Sequence, residues 1–227
     1  LIIMLTNYTY SATVADFKDY NTYRSYDERA CEVVNDFLDT KFYPVYTESS
    51  ERVDEKKYQV QGVDIKFDLS GTTYICDEKA AVKWMNKNLK TYAMELEFIN
   101  RGGYLNDGWF VNDSQINNSY CLIYTDKIEA PYNSFTTEDI KEVTVIIVTK
   151  DSIKDYLAGK GWTAKNLKNK CKEIRSKGGY GVNMGNIQEH GLKFSYSQQL
   201  PEKPINVLIP RDELENMSVL TVKYNNG

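Results

Sequence analysis

Three short stretches pair an acid with a lysine: Asp54-Glu55-Lys56, Asp64-Ile65-Lys66 and Asp77-Glu78-Lys79. Two carboxylates beside a backbone carbonyl make a hard oxygen site suited to Mg²⁺ or Mn²⁺. A lysine next to such an ion orients or deprotonates an attacking water and offsets charge building on a phosphate. The triplet alone does not select that chemistry. In a chain with 32 Asp/Glu and 28 Lys/Arg, acid-x-lysine recurs by chance, as at Asp16/Lys18, Glu55/Lys57 and Asp139/Lys141.

Context separates the three. Asp54 sits in the polar run TESSERVDEKK, with no apolar strand leading into it. Asp77 follows Tyr74-Ile75-Cys76 on a run that alternates as a strand, 72–81. Side chains two apart on a strand share a face, so Asp77 and Lys79 point together. Residues 58–69 alternate as the preceding strand, and Ser70-Gly71 supplies a turn between the two. Such a hairpin brings Asp64 near Asp77, just after Gly62, which permits a bend. A competing register, with Asp54 as first acid and Asp64-Ile65-Lys66 as the metal triplet, has the same geometry and stays open at this level.

The elements around the hairpin alternate helix and strand. Ala30, Val33, Val34, Phe37 and Leu38 form an apolar stripe over a helix at 26–39. Strands are expected at 91–99, where Met94, Leu96 and Phe98 oppose Glu95 and Glu97, and at 109–111, 119–126 and 143–150. Two helices follow, 151–158 and 163–177, separated by Gly-Lys-Gly. The tail reads as strand, short helix near Pro210-Arg211, and strand. The expected class is therefore α/β: a central mixed sheet flanked by helices, with a C-terminal α+β extension.

Several chemistries are disfavoured. The chain of 227 residues has one histidine, His190, so histidine-based catalysis or ligation is not expected. Cys31, Cys76, Cys121 and Cys171 are widely spaced with no CxxC, against a zinc site or a disulfide framework and in keeping with a reducing cytoplasm. The glycine-rich Gly178–Asn186 stretch lacks the Lys-Ser/Thr of a P-loop and the spacing of a dinucleotide fingerprint; it reads as a loop. No apolar run approaches the length of a membrane span, and the opening residues lack the basic start of a secretory signal.

Charge is unevenly distributed along the sequence. Residues 1–149 carry 15 Lys/Arg against 24 Asp/Glu, a net −9, whereas residues 150–177 carry 9 against 3, a net +6. An acidic body concentrates cations, and a basic segment attracts phosphates. The organisation expected is a core over 1–149 and an extension over 150–227 carrying the basic helices.

The order of acids and lysine resembles the PD-(D/E)XK nuclease superfamily, the restriction-endonuclease-like fold. That pattern has an acid on an early helix, an Asp at one strand and Asp/Glu-x-Lys on the next. Glu32 in ACEVVNDFL, Asp64 in GVDIKF, and Asp77 with Lys79 in ICDEKAA match it, over roughly residues 26–126. The proline of the motif name is absent before Asp64, and the third acid is Asp rather than the more frequent Glu.

The resemblance implies a metal-dependent endonuclease acting on DNA, with RNA also compatible and a homodimer open. It implies that Asp64, Asp77 and the Glu78 carbonyl bind Mg²⁺ or Mn²⁺, that Glu32 acts through water or a second ion, and that Lys79 positions the hydrolytic water. Glu95 is an additional candidate acid. Lys165, Lys168, Lys172 and Arg175 would hold the nucleic-acid backbone. The alternative is a non-catalytic nucleic-acid-binding or assembly protein that keeps the fold without turnover.

Overall fold

A computed structural model describes residues 16–177 and 186–226. The chain opens with α1 (Asp16–Phe37), continued by a π-turn over Leu38–Phe42 and a short α2 (Tyr43–Tyr46). Next come β1 (Ser49–Arg52), a single helical turn α3 (Lys56–Gln59), β2 (Ile65–Leu69), β3 (Thr72–Ala80), β4 (Thr91–Ile99), β5 (Leu105–Asp107), β6 (Ser119–Ile128) and β7 (Ile140–Thr149). Helices α4 (Lys150–Gly159) and α5 (Ala164–Ser176) follow. The chain then forms β8 (Asn186–Glu189), β9 (Leu192–Tyr196), β10 (Ile205–Pro210), α6 (Arg211–Asn216) and β11 (Leu220–Asn225).

The architecture is α/β with two sheets. One is a six-stranded mixed sheet in the order β1-β2-β3-β6-β7-β11, in which only β3 and β6 run parallel. The other is antiparallel, in the order β5-β4-β10-β9-β8. Residues beyond 150 enter both sheets: β11 pairs with β7, and β10 lies between β4 and β9. Residues before and after 150 therefore share both sheets.

The mixed sheet is buried on both faces, and strand alternation decides which side chain goes where. Cys76 and Ala80 of β3 enter a cluster with Ala30, Cys31, Val34 and Phe37 of α1. On the opposite face Tyr120, Leu122 and Tyr124 of β6 pack with Tyr92 and Met94 of β4, Trp109, and Leu167 and Ile174 of α5. Both caps on the basic helices come from threonine: Thr149 accepts from the Ser152 N–H, and Thr163 from the Asn166 N–H. Among the described residues, no helix is long and apolar enough to cross a membrane.

Most expected elements are present, with several departures, among them strands β1 and β5 in stretches read as loops. The strand expected at 58–69 starts only at Ile65. Tyr58 and Gln59 donate their N–H groups to Glu55 O, Val63 N–H returns to Tyr58 O, and Gly62 turns at φ +74°, so 58–62 are turn and helix. Residues 109–111 form a turn rather than a strand, with Trp109 and Phe110 buried in succession. The hairpin of β8 and β9 was not expected. Residues 178–185 of the glycine-rich stretch lie outside the described residues, and Asn186 begins β8.

Candidate metal centre

The hairpin of β2 and β3 builds the site. Its turn has two residues, Ser70 and Gly71, both at positive φ (53° and 73°), and it pairs Leu69 with Thr72. Positive φ at both central positions matches the right-handed twist of the strands, which is why serine-glycine serves here. The turn fixes the register: Ile65 pairs with Cys76. The pairing ends there, and it leaves the Asp64 carboxyl beside that of Asp77.

At that point β2 has left the ladder. The Asp64 N–H still donates to Cys76 O (3.0 Å), but its carboxylate takes over the next acceptor position, and the Glu78 N–H donates to Asp64 Oδ2 (2.8 Å). A residue's N–H and C=O project to the same side of an antiparallel strand, so the Glu78 carbonyl also points towards the Asp64 side. Gly62 turns at φ +74°, a conformation that strains other residues, and a Cβ there would also push aside the Gln115 amide, 2.1 Å away. This close approach, together with its positive φ, lets the chain turn away and leave the Asp64 carboxylate beside β3.

Asp77 and Lys79 project from the face of β3 opposite Glu78. Asp77 is 2% exposed and Lys79 fully buried, and the lysine ammonium is ion-paired with Asp77 Oδ1. The same ammonium lies 5.3 Å from the Trp109 ring centroid, and the Tyr92 hydroxyl donates to the Lys79 carbonyl. Asp77 Oδ2 is buried and accepts no hydrogen bond from the described residues. Burial pushes Asp77 up to about 7, opposed by Lys79 and reinforced by the facing Asp64 carboxylate. Asp64 is also desolvated, yet Lys79 and the Glu78 N–H hold it below the ordinary aspartate value. The pair thus differs in proton affinity, as expected when two carboxylates meet in a dry site.

Glu78 is set apart from this cluster. Its side chain accepts from the Tyr43 hydroxyl (2.7 Å) and from Arg52 Nη1 (2.7 Å), and the same guanidinium bonds Asp39. Burial raises its pKa despite the Arg52 contact. The Glu78 carboxylate is a buried structural ion pair, and only its backbone faces Asp64.

Glu95 enters from the second sheet. Burial pushes it up to about 7, against the lowering effects of the Trp109 N–H and Lys79. Gly108 packs tightly against the β4 backbone here, since a Cβ there would lie 2.4 Å from the Glu95 carbonyl oxygen. Glu97, two residues on, is committed to Arg175.

Glu32 is not brought to the carboxylates. It is exposed on α1, and α1 packs Ala30, Cys31 and Val34 onto the sheet face opposite Asp77 and Lys79. A buried acid of α1 is Asp27, 1% exposed, which pairs with Lys83 (2.6 Å) and accepts from the Tyr132 hydroxyl. Asp54 is exposed between β1 and α3, and Lys66 lies 5.7 Å from the Tyr58 ring. Asp64 therefore meets Asp77.

The four cations expected to hold nucleic acid divide into two kinds. Lys168 binds Asp107 (2.8 Å) and Arg175 binds Glu97, both acids on the second sheet. Lys165 and Lys172 are exposed on α5.

Lys150 was not expected at the site. It opens α4, donates to Asn117 Oδ1 (2.9 Å), and lies 5.9 Å from the Tyr120 ring centroid. Tyr120 pairs with Asp77 across β3 and β6. Desolvation and the nearby Lys154 lower the Lys150 pKa, whereas Asp77 acts to raise it. The only hint in the sequence is that Lys150 ends a buried β run and starts a helix.

Donor chemistry decides whether a divalent ion fits. Among the described residues, no three His, Cys, Asp or Glu side chains form a metal-holding group. The available donors are two adjacent carboxylates and a backbone carbonyl. These are all hard oxygens, in keeping with Mg²⁺ or Mn²⁺ completed by water. A surface cleft of about 1120 Å³ lies elsewhere, lined by residues including Lys90, Asp126, Lys193 and Arg211. Comparison of the chain with protein-family models, curated proteins and solved structures finds no match to any of them.

Proposed function

We propose that the protein is a metal-dependent nuclease of the restriction-endonuclease-like type that hydrolyses phosphodiester bonds in DNA, with the Asp64–Asp77 pair as its metal centre. One observation carries this reading: Asp77 lies against the Asp64 carboxyl, ion-pairs Lys79 through one oxygen, and keeps its second oxygen buried with no N–H donor among the described residues, so that a proton shared with Asp64 or a cation must fill the gap. Like charges this close destabilise a sheet. A proton or a cation must offset them, and a divalent ion is the more effective counter-charge.

Each side chain then has a role. Asp64 and Asp77 hold the ion with the Glu78 carbonyl. Lys79, anchored by Asp77 and enclosed by Trp109, orients the attacking water and offsets charge on the phosphate. The bound ion would polarise the scissile phosphate. Glu95, with its elevated proton affinity, is suited to accept a proton from that water. The exposed Lys165 and Lys172 supply contacts to the nucleic-acid backbone. These roles need neither histidine nor cysteine.

A second reading has its own supporting observation. The Lys79 ammonium is fully buried against Asp77, as in a closed structural pair, which suits a nucleic-acid-binding or assembly protein without turnover. Incubation of purified protein with linear and supercoiled DNA, with Mg²⁺, Mn²⁺ or EDTA, separates the two. The nuclease reading expects cleavage that EDTA abolishes and that Asp77→Asn lacks. Binding to duplex without cleavage under any metal would establish the alternative.

A further inference from the structure

Among the described residues, Lys150 is a half-buried cation near this site that makes no ion pair with a carboxylate. Arg52, Lys79, Lys83 and Arg211 are buried or half-buried, and each is ion-paired with an acid. Lys150 is equally half-buried, yet its hydrogen bonds go to two neutral oxygens, Asn117 Oδ1 (2.9 Å) and Gln115 O (3.4 Å). Its position adds positive charge to positive charge. It is the first residue of α4, where the helix dipole is positive, and Lys154 follows one turn later. Desolvation and Lys154 lower the Lys150 pKa, although Asp77, Asp113 and Asp151 offset part of this charge from a distance.

The sheet shows where such an anion would sit. The Asp64 carboxyl lies beside Asp77, Asp77 pairs with Tyr120 across β3 and β6, and the Lys150 ammonium lies over the Tyr120 ring. Lys79 borders the carboxylates along β3, and Lys150 borders them across the sheet. Asn117 and Gln115 hold Lys150 from a loop that is itself docked on Gly62, through the Ile116 N–H donating to Gln61 O (3.0 Å). The loop that lets β2 depart and the loop that aims Lys150 are thus one assembly. The Asn117 oxygen polarises the ammonium without neutralising it.

We infer that Lys150 is a substrate-positioning residue that grips a backbone phosphate of the nucleic-acid strand in the same site. This rests on the nuclease reading for the identity of the site, though the contact itself needs no turnover. A structural role, pinning the Gln115–Asn117 loop, uses only the donor hydrogens of Lys150. A phosphate role uses its charge. Lys150→Gln keeps a donor for Asn117 and removes the charge, whereas Lys150→Arg keeps the charge.

The test is equilibrium binding of a labelled oligonucleotide duplex in Ca²⁺ across a salt series, alongside kcat and KM for cleavage in Mg²⁺. Removing one phosphate contact should lower the slope of log K against log salt by about 1. Lys150→Gln is therefore expected to lose that slope and raise KM several-fold, with kcat changed less and Lys150→Arg close to wild type. A walk of single methylphosphonate substitutions should find one phosphate whose neutralisation weakens the wild type but not Lys150→Gln.

Unchanged slope and KM in Lys150→Gln, with wild-type cleavage intact, would overturn the role of Lys150 and leave the nuclease reading standing. Loss of slope in a protein that never cleaves would sink the nuclease reading and keep the phosphate contact. A wild type that binds no nucleic acid would overturn the Lys150 inference outright. Should Lys150→Gln melt early, the methylphosphonate walk on wild type and Lys150→Arg still decides: no sensitive phosphate in either contradicts the inference.

Discussion

The Asp64 carboxyl lies beside that of Asp77 at the end of the β2–β3 hairpin, and it accepts the Glu78 N–H at 2.8 Å where a backbone carbonyl would continue the ladder. A side chain that replaces a strand leaves a gap in the sheet lined by oxygen. Two buried carboxylates against one lysine carry an excess of negative charge, which makes this gap the focus of the proposed function.

The first prediction concerns pH. Asp77 and Glu95 are both pushed up to about 7 by burial, from ordinary values of 3.8 and 4.5. The folded state therefore binds their protons more tightly than the unfolded state does. Their stabilising contribution is complete below about pH 4 and is lost as pH rises through about 7. Asp64, with a lowered pKa, works in the opposite sense only at more acidic pH. With chelator present, the melting temperature should fall from pH 5 to pH 8, and Asp77→Asn should flatten that fall. A wild-type profile that rises over this range would contradict the assignment.

The second prediction separates ligand from lysine. Asp77→Ala removes a metal donor, so calorimetry with Mg²⁺ or Mn²⁺ should show no binding and cleavage should fail. Lys79→Ala leaves both carboxylates, so the ion should still bind, while cleavage drops by about a hundredfold or more. Cleavage by Lys79→Ala at the wild-type rate would remove this triplet from the chemistry.

Stability should respond sharply at Arg52. Its guanidinium is the cationic partner of the fully buried Glu78 carboxylate. Arg52→Ala leaves a buried charge uncompensated and should cost about 3–5 kcal/mol in denaturant unfolding. Tyr43→Phe removes one hydrogen bond to the same carboxylate and should cost about 1–3 kcal/mol. A double mutant with Glu78→Gln should recover much of the Arg52→Ala loss. Equal losses in both backgrounds would show that the pair is not coupled.

On α5 the exposed and the paired cations should behave differently. Replacing Lys165 and Lys172 with Ala is expected to weaken duplex binding equally across sequences and lower the salt slope by about 2. Lys168→Ala breaks an exposed pair with Asp107, so its effect on stability should stay within about 1 kcal/mol. An unchanged salt slope in the double variant would place this helix face in solvent only.

The hairpin was legible because its signals are local. A two-residue Ser-Gly turn and clean alternation on both sides fix the register that sets Asp64 against Asp77. Residues 58–62 misled because apolar and polar residues alternate there too, yet Gly62 and the hydrogen bonds back to Glu55 and Tyr58 turn the segment into helix and loop. Glu32 illustrates a different limit. Helical spacing gives the apolar face of α1, but not which side of the sheet it covers, and that side lies away from Asp77. Lys150 nears Asp77 from the start of α4, beyond β6, whereas Glu95, named from its strand, nears Lys79 from the other sheet. No spacing in the sequence encodes such contacts; the order of strands does.

The most direct measurement is an anomalous difference map from a crystal soaked in Mn²⁺. The expected result is a peak between Asp64 and Asp77, with the Glu78 carbonyl in its coordination shell and the Lys79 ammonium one water away. A peak held by Asp54 and Asp64 instead, or a fully loaded crystal with no density at the Asp64–Asp77 pair, would contradict the account.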